Sequence, residues 1–289
     1  MAVRLISDSA CDISQSEAKE LNITILPMKT IIDGVEYLDG VTISSQEFYD
    51  KLETCKELPT TSQISPAEFE DVFQSAVEND DEVVVITISG KLSGTLQSAV
   101  IAAADFSGDV WVVDSESVTI GQRILILHAV RLRDAGLGGR EIAEQLNRIK
   151  SRVCLLARVD TLEYLVRGGR LSKTAGFAGT ILNIKPVLSV EDGEVKVLGK
   201  ARGSKQSNNM LTDFIQQKGG VDFSLPVMLA YSGTDDALIK GYIDNSHVLW
   251  EGQLDSLPVT MIGSTISTHA GPGAIAVAFF ADQQRNTIY

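Results

Sequence analysis

Clusters of hydroxyls, carboxylates and glycines stand where short apolar runs end, and their side chains limit the chemistry open to this chain. In Ser89-Gly90-Lys91-Leu92-Ser93-Gly94-Thr95, backbone amides, the Ser93 hydroxyl and a helix start favour a bound carboxylate or phosphate. A phosphate loop would need GxxxxGK[ST], and a hydrolase elbow G-x-S-x-G; here two residues separate Gly90 from Ser93, so neither motif is met. Thr60-Thr61-Ser62-Gln63 lies between Pro59 and the helix start Ser65-Pro66, and its run of hydroxyls exceeds what a cap needs. Such a run makes a donor-rich concavity for an anion. Near the end of the chain, His269 precedes Gly271-Pro272-Gly273, where the glycines let the backbone approach a ligand and a final helix is expected to follow. Ser7-Asp8-Ser9-x-x-Asp12 reads as Asx turns and helix capping rather than a metal site. The segments Arg167-Gly168-Gly169-Arg170 and Gly199-Lys200-Ala201-Arg202 suit backbone and guanidinium contacts to phosphate or a partner.

Alternating strand and helix patterns position these clusters. Val3–Ser7, Ile23–Met28, Thr30–Tyr37 (turning at Asp33-Gly34), Glu82–Ile88 and Val110–Val113 read as strands. Helix starts appear at Ser14-x-x-Glu17, Ser44-x-x-Glu47, Ser65-Pro66-x-Glu68 and Thr95, with longer helices around Gln122–Asp134 and Arg140–Lys150. This alternation implies a mainly parallel sheet covered on both faces, and a domain boundary is expected near Lys150–Ser151. Residues 151–289 form the expected second α/β domain, with a mixed sheet. Its expected elements are a strand at Leu155–Val159, a short helix at Thr161–Val166, a Gly-rich stretch to Gly179 and a hairpin around Asp192-Gly193. A helix over Ser204–Lys218 and strands at Val227–Tyr231 and Val259–Ile262 follow.

Bulk composition narrows the partners. With 44% hydrophobic and 22% charged residues the chain is ordinary globular material rather than disordered. A net charge of −13 with no basic block to offset it excludes nucleic acid as a natural partner and limits contact with anionic membranes to transient visits. Three scattered cysteines give no disulfide framework and no CxxC site, and three unclustered histidines give no metal site. The longest apolar run, Ala274 to Ala281, is far short of the ~20 residues of a membrane span. With no apolar leader ahead of the first strand, the expected location is the cytoplasm.

Taken in order, these segments resemble the DegV family, which includes the lipid-binding subunit of bacterial fatty acid kinase. The matching residues are Ser7-Asp8-Ser9-x-x-Asp12, Thr61-Ser62-Gln63, Ser89-x-x-x-Ser93-Gly94-Thr95-x-Gln97 and Asp114-Ser115. They continue with Leu162-Glu163-x-Leu165-x-x-Gly168-Gly169-Arg170, Lys185-Pro186, Gly199-x-x-Arg202 and Ile262-Gly263 through Gly271-Pro272-Gly273. The resemblance implies two α/β domains around a long-chain fatty acid, with Thr61, Ser62, Ser93 and His269 holding its carboxylate. It implies no other cofactor and no catalysis by the chain itself. Arg170 and Arg202 are implied in handing the carboxylate to a separate ATP-dependent kinase subunit that makes acyl phosphate. One departure is Ile64, where many members carry proline. Two other readings stay open from the residues. Ser93 and His269 stand in the chain order of a serine hydrolase, with Asp235, Asp236 or Asp255 between them as orienters. A small-anion binding module without lipid is the other.

Overall fold

The computed structural model describes residues 2–172, 184–254 and 256–282. The chain opens with β1 (Val3–Asp8), α1 (Gln15–Glu20), β2 (Ile23–Leu26), β3 (Lys29–Ile32) and β4 (Val35–Leu38). Next come α2 (Ser45–Leu52), β5 (Thr60–Ser62), α3 (Pro66–Val77), β6 (Glu82–Thr87) and α4 (Thr95–Ala103). β7 (Val110–Asp114), α5 (Thr119–Asp134) and α6 (Gly139–Ile149) lead into β8 (Val153–Arg158) and α7 (Glu163–Arg167). The remainder is β9 (Ile184–Glu191), β10 (Glu194–Arg202), α8 (Gly203–Gln217), β11 (Met228–Tyr231), α9 (Ala237–Asn245), β12 (Val259–Met261), α10 (Ser264–Ala270) and β13 (Ile275–Phe280).

These elements form two α/β domains. In the N-terminal one, β2-β1-β6-β7 make a parallel sheet. Val83, Val84, Val85 and Ile86 of β6 are all buried, because helices cover both faces and leave no side for polar residues. Phe69 and Phe73 of α3, with Ala99 and Ala102 of α4, cover one face. Ile120 and Ile124 of α5, with Ile142 and Leu146 of α6, cover the other. The C-terminal sheet runs β10-β9-β8-β13-β11-β12; only its β11–β12 pair is parallel, so it is mixed. Leu211 and Ile215 of α8 and Ile239 and Tyr242 of α9 close its outer face. Its inner face meets α5, so one apolar cluster runs from Leu5 and Ile86 through Ile124 and Leu125 to Leu155, Met228 and Phe280. Helix α5 is therefore a layer shared by both sheets. A small antiparallel sheet, β4-β3-β5, sits apart and carries Thr61.

Capping follows the sequence signatures: Ser44 with Glu47 and Ser65 with Glu68 form reciprocal boxes, and Pro66 opens α3. Asp33-Gly34 and Asp192-Gly193 both carry positive φ at their two residues, as a tight hairpin turn requires.

Three expectations need correction. No helix follows Gly271-Pro272-Gly273 among the described residues; the stretch Ile275–Phe280 is a strand with all six residues buried between β8 and β11. A short run apolar at every position carries no period that separates helix from strand. The helix instead precedes the glycines, as α10, so His269 lies in its last turn rather than ahead of a helix or in a loop. Thr60–Ser62 is likewise strand β5, paired with β3, rather than a pre-helical loop. Helix α9 had no counterpart in the sequence reading. Much of the Gly-rich stretch to Gly179 lies outside the described residues.

Candidate functional site

A cavity of about 320 Å³ lies between the two sheets, at the low end of the roughly 300–1,000 Å³ usual for ligand sites. Its walls alternate along the strands: Leu155, Ala157 and Val159 on the β8 side, Leu188 and Val190 on β9, Ala274 and Ala276 at β13. Side chains two apart on a strand share a face, so these residues draw one apolar stripe. Ile88, Leu92, Val118, Ile262 and Ile266 close the opposite side. This apolar-walled cavity is the tunnel between the sheets.

Gln63, Thr119, Ser189 and Thr265 also line the cavity, while five polar side chains gather at one end. Thr61, Ser62, Ser93, Arg170 and His269 all line the cavity there, brought from β5, the β6–α4 loop, the turn after α7 and the last turn of α10. His269 Nε2 lies 2.8 Å from Thr61 Oγ1, while its Nδ1 is buried with no hydrogen-bond partner among the described residues. Burial, reinforced by the nearby Arg170 charge, lowers the His269 pKa to about 4, so the ring is neutral at pH 7. Ser93 Oγ sits 2.9 Å from Thr95 Oγ1 and accepts from the Thr95 amide at 3.3 Å. Arg170 Nε donates to Leu92 O at 3.1 Å and Nη1 to Gly168 O at 2.6 Å, and burial lowers its pKa.

Close backbone approach explains two glycines. A methyl on Gly168 would stand 2.2 Å from His269 Nδ1, and one on Gly94 would stand 1.9 Å from Gln63 Oε1. Gly168 lets the arginine turn lie against the imidazole, and Gly94 lets Gln63 pass to Ser98 Oγ, to which it donates at 2.9 Å. The sequence motifs thus touch one another in space.

Helix α10 is held from the far side of the chain. Asp12 accepts from the Gly263 amide at 2.8 Å, and Asp39 accepts from the Ser264 amide at 2.9 Å and its hydroxyl at 2.8 Å. The two carboxylates satisfy donors at the start of the helix that carries His269. Thr30 bonds Ser264 at 3.0 Å and Tyr49 bonds Ser267 at 2.5 Å, fixing the helix to the small sheet and α2. Burial is the chief cause that raises the Asp12 pKa to about 7, with the Asp39 charge adding to it against hydrogen bonds from Thr119 and Gly263. Asp8 is raised by burial to about 6 while accepting from Ala10 and Ile88 amides at 3.1 and 2.8 Å. The capping reading of the Ser7–Asp12 cluster is therefore right in kind. What Asp12 helps to cap, though, is more than 250 residues downstream.

Arg202 is the one expected site residue that does not line the cavity; it is exposed at the end of β10, next to the start of α8. Ser93 and His269 share the cavity, but their hydrogen bonds go to Thr95 and Thr61 rather than to each other. Of the aspartates offered as orienters, Asp235 caps the Ala237 amide at 2.9 Å, Asp236 pairs with Lys240 at 2.8 Å, and Asp255 lies outside the described residues. Among the described residues the hydrolase geometry is not assembled. Sequence reasoning passed over Asp39 and Arg158. Arg158 is almost fully buried and donates through Nη2 to Gly273 O at 2.7 Å, clamping the Gly-Pro-Gly turn. An arginine inside an otherwise apolar strand pattern was the available signal.

A family model described as "Uncharacterised protein, DegV family" matches residues 2–282. The chain belongs to the DegV family. A DegV domain-containing protein of Caldanaerobacter subterraneus is 37% identical over 279 residues, covering 96% of this chain and 98% of that one. Another from Deinococcus radiodurans is 34% identical over 283 residues, with 96% and 98% covered. Among solved structures, one described as fatty acid binding of a DegV family protein from Thermus thermophilus superposes with a TM-score of 0.85 at 33% identity, over 97% of this chain and all of that one (100%). A stearic acid-binding protein from Eubacterium ventriosum gives 0.84 at 28% identity, with 100% of both chains covered. DegV architecture thus holds from end to end. No helix among the described residues is long and apolar enough to cross a membrane.

Proposed function

We propose that this DegV protein encloses a long-chain fatty acid between its domains and presents the carboxylate to a separate ATP-dependent kinase subunit, which phosphorylates it to acyl phosphate. The observation that carries the reading is an apolar tunnel whose one polar end gathers Thr61, Ser62, Ser93, Arg170 and a neutral His269. The fatty acids described for the relatives from Thermus thermophilus and Eubacterium ventriosum support the same ligand class. Domains divided at Lys150–Ser151 would form the two walls, 1–150 bringing the hydroxyl loops and 151–289 the arginine turn and His269.

Enclosing a sixteen-carbon acid removes about 14 methylenes from water, worth about 11 kcal/mol at ~0.8 kcal/mol per CH₂. Association and ordering offset much of that. The carboxylate, unpaired in such a site, would cost several kcal/mol, so it must meet donors. A neutral His269 with its proton on Nε2 donates to Thr61 Oγ1 and leaves the Thr61 hydroxyl proton to point at the carboxylate. Nδ1 is then the bare nitrogen, which needs no acceptor. Ser62 and Ser93 supply further hydroxyl donors. Arg170, already spending two donors on carbonyls, adds positive potential. Mostly neutral donors hold the carboxylate while leaving it nucleophilic toward a phosphoryl donor. Arg202, outside the tunnel, serves the partner's side. The chain performs no catalysis on this reading, needs no metal or cofactor, works in the cytoplasm and meets membranes only in passing.

Native mass spectrometry of the purified protein tests the ligand, and ATP with the kinase subunit tests the transfer. Retained acyl mass and acyl phosphate formation are expected, both reduced in Ser93→Ala and His269→Ala variants. An empty protein that takes up no added fatty acid sinks the proposal.

A further inference from the structure

The tunnel's far end abuts a second cavity, of about 400 Å³ and opposite character. Leu155, Ser189 and Val190 line both. Leu155 on β8 and Val190 on β9 face each other directly across the antiparallel pair. Behind them the walls turn polar: Lys150 pairs with Glu116 at 2.8 Å and Lys218 with Glu191 at 2.8 Å, and all four residues line the second cavity. Leu155 is backed by the start of α5, where a methyl on Gly121 would stand 3.2 Å from its Cβ.

The direction of the tunnel follows from the strand. Val159 and Leu155 are four residues apart, about 13 Å at ~3.3 Å per residue, and Val159 lies in the cluster with Leu165 and Leu171, beside the arginine turn. Along the β8 wall, Leu155 is therefore the end away from the arginine turn.

We propose that the Leu155–Val190 pair is the floor that sets acyl-chain length in this protein, and that the polar cavity behind it makes the limit sharp. This rests on the fatty-acid reading and adds the determinant of chain class. Each methylene buried above the floor raises affinity about fourfold. A methylene pushed past the floor leaves an apolar wall for one lined by two ion pairs, so it gains nothing of the kind and must displace Leu155 or Val190. Ligands are then linear saturated or unsaturated acids up to one length, with a steep fall beyond it. Shaving the floor lengthens the tunnel; filling it shortens the tunnel.

The test is competition among a graded series of straight-chain acids, read by native mass spectrometry, for wild type and for Val190→Ala, Leu155→Ala and Val190→Phe. Val190 is only half-buried, so its alanine variant keeps the fold even where Leu155→Ala does not. Val190→Ala should move the preferred length up by about two carbons, with a fourfold or larger gain for the first acid beyond the wild-type limit. Val190→Phe should move the preference down. Identical length profiles in wild type, Val190→Ala and Val190→Phe, all with lipid bound, overturn the floor and leave the fatty-acid reading standing. A wild-type protein that binds no acid in the series overturns both.

Discussion

The two ends of the tunnel are built on different principles. Its polar end is assembled from four separated stretches that approach backbone to side chain through glycines: Gly168 against His269, Gly94 against Gln63 and Gly271 against Tyr164. Its far end is two side chains, Leu155 and Val190, facing each other on neighbouring strands. A site made by close approach tolerates no added atom, whereas a wall made by side-chain volume can be resized. The polar end should therefore be brittle and the far end adjustable.

Gly271→Ala should show the largest effect. Gly271 has φ 70° and ψ 177°, a conformation essentially reserved for glycine, and a methyl there would stand 2.3 Å from the Tyr164 ring. Strain plus overpacking should cost about 3 kcal/mol or more of stability, read from the denaturant midpoint. Val190→Ala at the other end should cost about 1 kcal/mol. Equal costs would erase the distinction between the two ends.

His269→Ala comes next. Removing the ring takes away the partner that orients Thr61 and leaves the carboxylate short of a donor network. Hydrogen bonds to charged groups are worth about 1.5–3 kcal/mol, so acyl affinity should fall roughly tenfold to a hundredfold in a fluorescent fatty-acid displacement assay. A loss below twofold would mean the polar end is scenery and the apolar wall alone sets affinity.

The pH dependence of stability sharpens the same contrast, because buried groups of both signs sit on or beside α10. Unfolded, His269 binds a proton below about 6.5, but folded only near 4, so its contribution is complete above the higher value and is lost as pH falls towards the lower. Asp12 runs the other way. Its folded pKa of about 7 against 3.8 unfolded means the folded state holds the extra proton, and stability is lost as pH rises through that interval. Over pH 4 to 6.5 the His269 slope opposes that of Asp12, and Asp8, raised by burial to about 6, falls with Asp12. Thermal melts from pH 4 to 8 should therefore show a net loss of stability towards pH 7, the upper limb, that His269→Gln steepens and Asp12→Asn flattens. If Asp12→Asn leaves the upper limb unchanged, the buried carboxylate at the α10 start does not titrate as its surroundings require.

Much of this was legible in the sequence, for a physical reason that also marks where legibility ended. Caps and tight turns are local, so Ser44 with Glu47, Ser65 with Glu68 and Asp192-Gly193 announced themselves. The hydroxyls at Thr61, Ser62 and Ser93, the arginine turn and His269 stood out because polar residues among glycines at strand ends have few structural uses. Ile275–Phe280 was misread because a run buried on every side has no period. Asp39 gave no signal, since its partners at Ser264 are 225 residues away and nothing in its own neighbourhood calls for a carboxylate. The tunnel floor was equally silent: Leu155 and Val190 look like any strand residues until the register sets them opposite each other.

The smallest expected effect separates the two arginines that the sequence treated alike. Arg170 lines the tunnel, half-buried beside His269, whereas Arg202 is exposed at the end of β10 and lines neither of the two cavities described. Salt screens exposed charges beyond about a Debye length, ~8 Å at physiological ionic strength, and Arg202 lies outside the cavity lining, so Arg202→Ala should leave acyl affinity within twofold of wild type. Arg170→Ala should weaken it about tenfold, because a desolvated charge near a carboxylate acts in a lower dielectric. If Arg202 instead serves the kinase side, its variant should bind lipid normally and still slow acyl phosphate formation. A fall in lipid affinity for Arg202→Ala would extend the polar end beyond the groups gathered around His269 and would remove the reason for assigning that arginine to the partner.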